Sequence, residues 1–426
     1  MTAPTEPIPR RSMIAVALST VVEWYDFTLC LYFAPTLARV FFGAGGESLG
    51  KTLAGFAIAY LMRPLGAIAF GQFGDRRGRK PTLLLSMTLM TVSMLVLALL
   101  PTHAQIGASA GWLLIVMRCL MGFSVGGEYP AVVTYLFETA PKHRRGLVTS
   151  SAAAASEIGG LLAVGLCAWL TNTLPQESLD SWGWRIPFLF GAALAAGIWL
   201  VRQIIPEPPA FISDRGLNAS SRSPMGDALL NQRRGIGIGF AISAIGSISY
   251  YVGITYVPSF VSLVQSADEA AALELSTVAA LVVILVTPCI GWLSDSIGRR
   301  PVLLALCLLC AILPVPMFSL IAHGDRTLAL LAVMLLAALA GGVSAVGAVA
   351  TAEQFPARVR LSGLALGATT ATAVFGGAAP YAAYLLQNWS NSPATPGVMI
   401  GAVAVVSGLI LARTMQHAGE AAAAAR

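Results

Sequence analysis

Twelve stretches of roughly twenty apolar residues, each long enough to cross a ~30 Å hydrocarbon core, take up most of this 426-residue chain. They lie at about 13–34, 50–73, 81–100, 111–137, 147–171, 186–205, 236–264, 271–294, 301–322, 327–352, 361–388 and 397–414. Only 11% of the residues are charged, against about a quarter in soluble domains. The pattern predicts an all-α membrane protein with twelve transmembrane helices. The frequent glycines of the fourth, seventh and eleventh segments predict that these are tilted or broken.

The chain also repeats itself. Gly71-Gln72-Phe73-Gly74-Asp75-Arg76-Arg77-Gly78-Arg79-Lys80 returns, in pattern, as Gly291-Trp292-Leu293-Ser294-Asp295-Ser296-Ile297-Gly298-Arg299-Arg300. A second element, Glu138-x-x-Pro141-x-x-x-Arg145, returns as Glu353-x-x-Pro356-x-x-x-Arg360. Two motifs recurring in the same order mark a duplication. The expected architecture is therefore two pseudo-symmetric six-helix bundles, 1–205 and 235–426. The polar, Pro-, Ser- and Arg-rich segment 206–234 is expected to join them as a cytoplasmic linker.

The net charge of +6 is explained by topology. Of 26 Lys and Arg, twenty, Arg202 among them, fall in segments on one side of the predicted membrane. Arg39, Lys51, Arg185 and Arg326 fall on the other, and Arg63 and Arg118 lie within spans. This bias places both termini in the cytoplasm and leaves no case for a nucleic-acid partner. The first segment is too long for a signal-peptide core, carries Glu23 and Asp26 and lacks a small-residue cleavage site, so it is expected to remain in the mature protein. The six cysteines sit in apolar segments and the four histidines are scattered, a pattern that predicts no metal site. No nucleophile–base arrangement predicts an enzyme, and the Ala-rich tail lacks heptads.

Charges at bilayer depth are costly and usually face a cavity or a partner. The candidates are Glu23, Asp26, Arg63, Arg118, Glu128 and Glu157. Glu23 and Asp26, three apart, share a helical face, and two carboxylates that close repel when both are ionised, so one is expected to hold a proton. In Arg118-x-x-x-Gly122-x-x-x-Gly126-Gly127-Glu128 small residues let another helix approach the arginine. Four acids outnumber the two arginines, which predicts that some are protonated or neutralised by a bound cation or substrate. Fixed structural ion pairs are the alternative. Asp26, Glu23, Arg118 and Glu128 are the expected proton-coupling residues. Arg118, Tyr25, Tyr129, Glu157, Tyr250, Tyr251 and Tyr256 are the expected substrate residues. In the repeated motifs, glycines permit tight turns and Asp75 offers an acceptor to helix N-terminal amides. Gly71, Asp75, Arg76, Gly78, Arg79, Glu138, Arg145, Asp295, Gly298 and Arg299 are read as gating residues, with plain topological anchoring as the alternative.

The motif from Gly71 to Lys80 resembles the loop signature of the major facilitator superfamily. Within it, Glu23-Trp24-Tyr25-Asp26-Phe27, Arg63-Pro64-Leu65-Gly66, Gly122 to Tyr129, Trp182 to Phe188 and Tyr250-Tyr251 resemble the metabolite:proton symporter family. The resemblance implies uptake of citrate, 2-oxoglutarate, shikimate, or proline and betaine, driven by protons. It also implies that Asp26 and Arg118 fall where proton-coupled sugar porters keep a coupling pair. Glu157 departs from the pattern, being acidic where a neutral residue is expected. The expected function is import of a small polar metabolite, foremost a di- or tricarboxylate, by alternating access in the inner membrane. A zwitterionic solute or carboxylate siderophore is the second reading and a proton-driven exporter the third. The partners expected are protons, a small-molecule substrate and lipid; no cofactor is expected, and a monomer is.

Overall fold

A computed structural model describes residues 10–43, 48–209, 211–212, 223–265 and 269–415. Parts of the expected linker, with Arg215 and Arg222, and the Ala-rich tail lie outside these. The described residues form helices and no strand. Among the described residues, eleven helices are long and apolar enough to cross a membrane, and a twelfth span arises when one bent pair is joined. They are α1 (Arg10–Tyr32), α2 (Ser48–Arg77), α3 (Arg79–Leu99), α4 (Ser109–Thr139), α5 (Arg145–Thr173) and α6 (Arg185–Arg202). The remaining six are α7 (Arg233–Thr255), α8 (Glu269–Ile297), α9 (Arg299–Ile312 with Pro314–Ala322), α10 (Arg326–Ala352), α11 (Ala357–Ser390) and α12 (Thr395–Thr414).

The expected irregularities are redistributed. α7 ends in a π-helical turn at Tyr251–Thr255, and α11 contains two, at Ala365–Thr369 and Ala373–Gly377. α4 is one continuous α-helix despite its glycines and Pro130. The bent span is α9, which turns by 40° where Pro314 opens its second half; a proline cannot donate to the preceding turn.

The chain separates into two compact units. One comprises the described residues up to Thr139 with Ala155–Met225, the other Ala140–Ala154 with the described residues from Gly226 onward. The first ten residues of α5, nearly three turns, thus group with the second unit. In the first unit, α2 and α4 pack backbone to backbone. A Cβ on Gly122 would lie 2.0 Å from the Ala59 carbonyl oxygen, and one on Gly126 2.0 Å from that of Arg63. On the facing helix a Cβ on Gly66 would lie 1.8 Å from the Phe123 carbonyl oxygen. Without side chains at these points the helices approach closely, the usual route to tight packing in lipid, where apolar surface alone gives little drive. Gly159 of α5 meets Val21 of α1 in the same way, a Cβ there falling 2.1 Å from the carbonyl oxygen. The second unit has its own apolar core, in which Phe260 and Phe318 meet edge to face at 5.0 Å.

Candidate functional site

The close α2–α4 contact brings chemistry from three helices to one pocket. Asp26, Phe27, Cys30 and Leu31 of α1 line it with Phe56, Ala59, Tyr60 and Arg63 of α2 and Arg118, Met121, Gly122 and Val125 of α4. Its charged lining is one acid and two arginines. Arg118 donates to both oxygens of Asp26, Nη2 to Oδ2 at 2.5 Å and Nη1 to Oδ1 at 3.2 Å, and also contacts the Cys30 thiol. Arg63 lies over the rings of Tyr60 (4.6 Å) and Phe27 (5.3 Å), where a guanidinium is attracted by the ring quadrupole. Its Nη1 is 3.8 Å from Oε1 of Glu23, a carboxylate only 4% exposed.

Glu128 lies elsewhere in the first unit. It accepts hydrogen bonds from Arg202 and from Ser86, and Arg202 also donates to Ser19 and, at 2.7 Å, to the Leu83 carbonyl. Glu128 and Arg202 are both fully buried. This corrects the sequence reading of Arg202 as a cytoplasmic loop charge: it is a third arginine of the helical interior, and it pairs the acid that the sequence left unmatched. The signal was faint, because an arginine in the last turn of a helix looks the same whether it reaches out to water or back into the bundle.

The other expected substrate residues divide by unit. In the first, the Tyr25 hydroxyl donates to the Pro187 carbonyl at 2.8 Å and its ring sits in the apolar core; it serves α1–α6 packing and is absent from the pocket lining. Tyr129 is half-buried on α4 and Glu157 is buried on α5. In the second, Tyr250 and Tyr251 meet edge to face at 5.5 Å, and the Tyr256 hydroxyl donates to Oε1 of Gln387 at 3.0 Å. Ser247 and Thr372 are hydrogen-bonded at 3.0 Å, tying α7 to the irregular part of α11.

The two copies of the repeated motif form parallel networks. In the first, Gly78 (φ +121°) makes the turn from α2 to α3, in the backbone region that favours glycine. Arg79 bonds Asp75 at 3.0 Å and holds Glu138 through two 3.0 Å bonds. Glu207, from the segment after α6, accepts from the amides of Arg79 and Lys80, an acid at a helix N-terminus where the macrodipole favours it. Burial pushes its carboxyl above the ordinary range, against those amides and Arg79. Phe211 lies 4.7 Å beneath the Arg79 guanidinium. Gly71 is buried and Arg76 exposed.

In the second copy Gly298 (φ +98°) makes the turn. Arg299 reaches Asp295 at 2.8 Å and Glu353 at 3.3 Å. Within this unit Asp295 accepts from the amides of Gly146 (2.8 Å) and Leu147 (2.9 Å), the start of α5. Burial raises the Glu353 carboxyl above its usual range, while the nearby Arg299 and Arg145 oppose the shift.

A multi-span helical protein with paired charges buried around an interior pocket is built as a membrane carrier. The chain belongs to the sugar (and other) transporter family of the major facilitator superfamily, whose model matches residues 12–227 and again 219–419. It is 34% identical over 381 residues to the alpha-ketoglutarate permease of Escherichia coli K12, covering 88% of this chain and 87% of the relative. It is 31% identical to the citrate-proton symporter of Klebsiella pneumoniae (92% and 89% covered) and 30% to the proline/betaine transporter of E. coli K12 (96% and 83%). The fold is shared with the proton:xylose symporter XylE at a TM-score of 0.80 and 19% identity, over 96% of each chain. The protein is thus a multi-pass membrane transporter and not an enzyme.

Proposed function

We propose that the protein imports a small organic acid of the di- or tricarboxylate type together with protons, by alternating access, in the inner membrane with both termini cytoplasmic. The observation that carries this reading is the charged lining of the pocket: Asp26 held bidentately by Arg118, with Arg63 beside them. While Asp26 is ionised it occupies the arginine that an anion would use. A proton on Asp26 removes half of a buried ion pair and leaves Arg118 uncompensated, an arrangement costing on the order of 3–5 kcal/mol. A substrate carboxylate relieves that cost, so proton and anion bind together. Loss of both on the inner side restores the Asp26–Arg118 pair and resets the carrier.

The names of the relatives support both acids and zwitterions. A specific contact favours acids: the faces of Tyr60 and Phe27, which would suit an ammonium group, are already occupied by Arg63. The test is uptake of labelled di- and tricarboxylates, shikimate, proline and betaine into proteoliposomes under an inward proton gradient. Carboxylate uptake that is abolished by a protonophore and by Asp26→Asn is the expected result. Uptake indifferent to both removes the proposal, and gradient-driven uptake of betaine alone replaces the substrate class.

A further inference from the structure

The second arginine of the pocket, Arg63, also has an acid beside it, and the geometry of that pair differs from the first. Glu23 and Asp26 stand three residues apart on α1, each beside its own arginine, Arg63 from α2 and Arg118 from α4. Both arginines line the same pocket, held together by the contact of Gly126 with the backbone of Arg63. The Asp26 pair is bidentate and tight. Glu23 approaches Arg63 no closer than 3.8 Å, beyond hydrogen-bonding distance, and its other oxygen, Oε2, is buried with no hydrogen-bond partner among the described residues.

We infer that Glu23 is a second proton acceptor, which releases Arg63 to a second substrate carboxylate, so that two protons enter with each dicarboxylate. The inference rests on the proposed function and specifies its stoichiometry. A buried carboxylate left with an unmade hydrogen bond is costly, and a proton removes the charge that makes it so. The charged groups that neighbouring helices bring toward Glu23 are Arg63 from α2 and Glu128 from α4. Asp26 lies one turn along α1 with Arg118 upon it, and Glu128 is itself paired to Arg202; the buried acid of α5 is Glu157. With Glu23 and Asp26 ionised, the four groups sum to zero. With both protonated, two cationic arginines face the pocket, the charge needed to neutralise a dianion. Tyr60 and Phe27 hold the Arg63 guanidinium over the pocket when Glu23 lets go. No covalent bond changes: one proton is taken from outside on each acid and given up inside.

Two measurements on the full-length carrier in liposomes test this. Infrared titration of the substrate-free protein should show two interior carboxylic C=O components, one lost in Glu23→Gln and the other in Asp26→Asn. A band unchanged by Glu23→Gln overturns the inference. In transport, with the membrane potential clamped, accumulation of 2-oxoglutarate, succinate or citrate should rise about a hundredfold per pH unit of gradient in the wild type and about tenfold in Glu23→Gln, each coupled proton contributing a factor of about ten. A hundredfold slope in both leaves the proposed function standing and overturns the role of Glu23. No gradient-driven uptake of any of these acids overturns the proposed function and this inference with it. Should Glu23→Gln fail to assemble, Arg63→Gln decides: KM should rise at least about tenfold more for the dianion than for monoanionic shikimate, and equal shifts overturn the inference.

Discussion

The two copies of the repeated motif make the same bonds in different surroundings. Around Gly78, the Asp75, Arg79 and Glu138 side chains are all completely buried. Around Gly298, the corresponding Asp295, Arg299 and Glu353 side chains are 4%, 12% and 32% exposed. The motif residues are alike, so the difference comes from what covers them. The segment after α6 lays Glu207 over the start of α3 and Phe211 under Arg79. At Gly78 a Cβ would fall 2.9 Å from the Glu207 carboxyl, whereas at Gly298 the nearest atom to a Cβ is 3.7 Å away, on Pro301. A motif therefore specifies bonding partners, while the chain that packs over it sets how much those bonds are worth.

The sharpest way to break this comparison is to remove both arginines. Arg79→Gln leaves two buried carboxylates without their cation and should cost about 3–5 kcal/mol. Arg299→Gln should cost less, because Glu353 is partly open to water and Asp295 keeps the Gly146 and Leu147 amides as donors. Denaturation midpoints in detergent would show it, and equal losses would mean that burial does not separate the copies. Next come the turns. Alanine at either Gly78 or Gly298 meets a positive φ with extended ψ, a region kept almost entirely for glycine and costing other residues roughly 1–3 kcal/mol, and Gly78→Ala should lose more because it also displaces Glu207. A smaller loss at Gly78 would remove Glu207 from the account.

The smallest effect is in pH dependence. Glu207 and Glu353 both have folded-state pKa values raised by burial. Their stabilising contribution is complete below the ordinary Glu range and is lost as pH rises through the raised folded value. Glu207→Gln and Glu353→Gln should each flatten that decline in thermal stability relative to wild type. A steeper decline in either variant would show that the sign is wrong.

Much of the fold was legible because lipid leaves few options. Apolar length gave the spans, and the repeated Gly-x-x-x-Asp and Glu-x-x-Pro patterns gave the duplication. Asp26 and Arg118 were legible for a related reason: a charge inside an apolar run needs a partner. Sequence fails where one letter serves two physical uses. The glycines of α4 were read both as weak points and as a surface for another helix; Gly122 and Gly126 are that contact surface, and the helix runs through them unbroken. Pro314 lay inside an apolar run and passed as ordinary, though it bends α9. Arg202 was counted with the loops because helix-end position does not reveal direction, and Arg63 gave no hint that it shares a pocket with Arg118 until α2 and α4 were seen in contact.

That contact also limits how such a carrier can change its cargo over evolutionary time. The backbone carbonyls of Ala59 and Arg63 rest directly on Gly122 and Gly126, so this wall of the pocket cannot be remodelled by enlarging either glycine without driving the helices apart. What the pocket accepts can change instead through the side chains that project from the same two helices, here Phe56, Met121 and Val125, which can vary without moving the glycine seam beneath them.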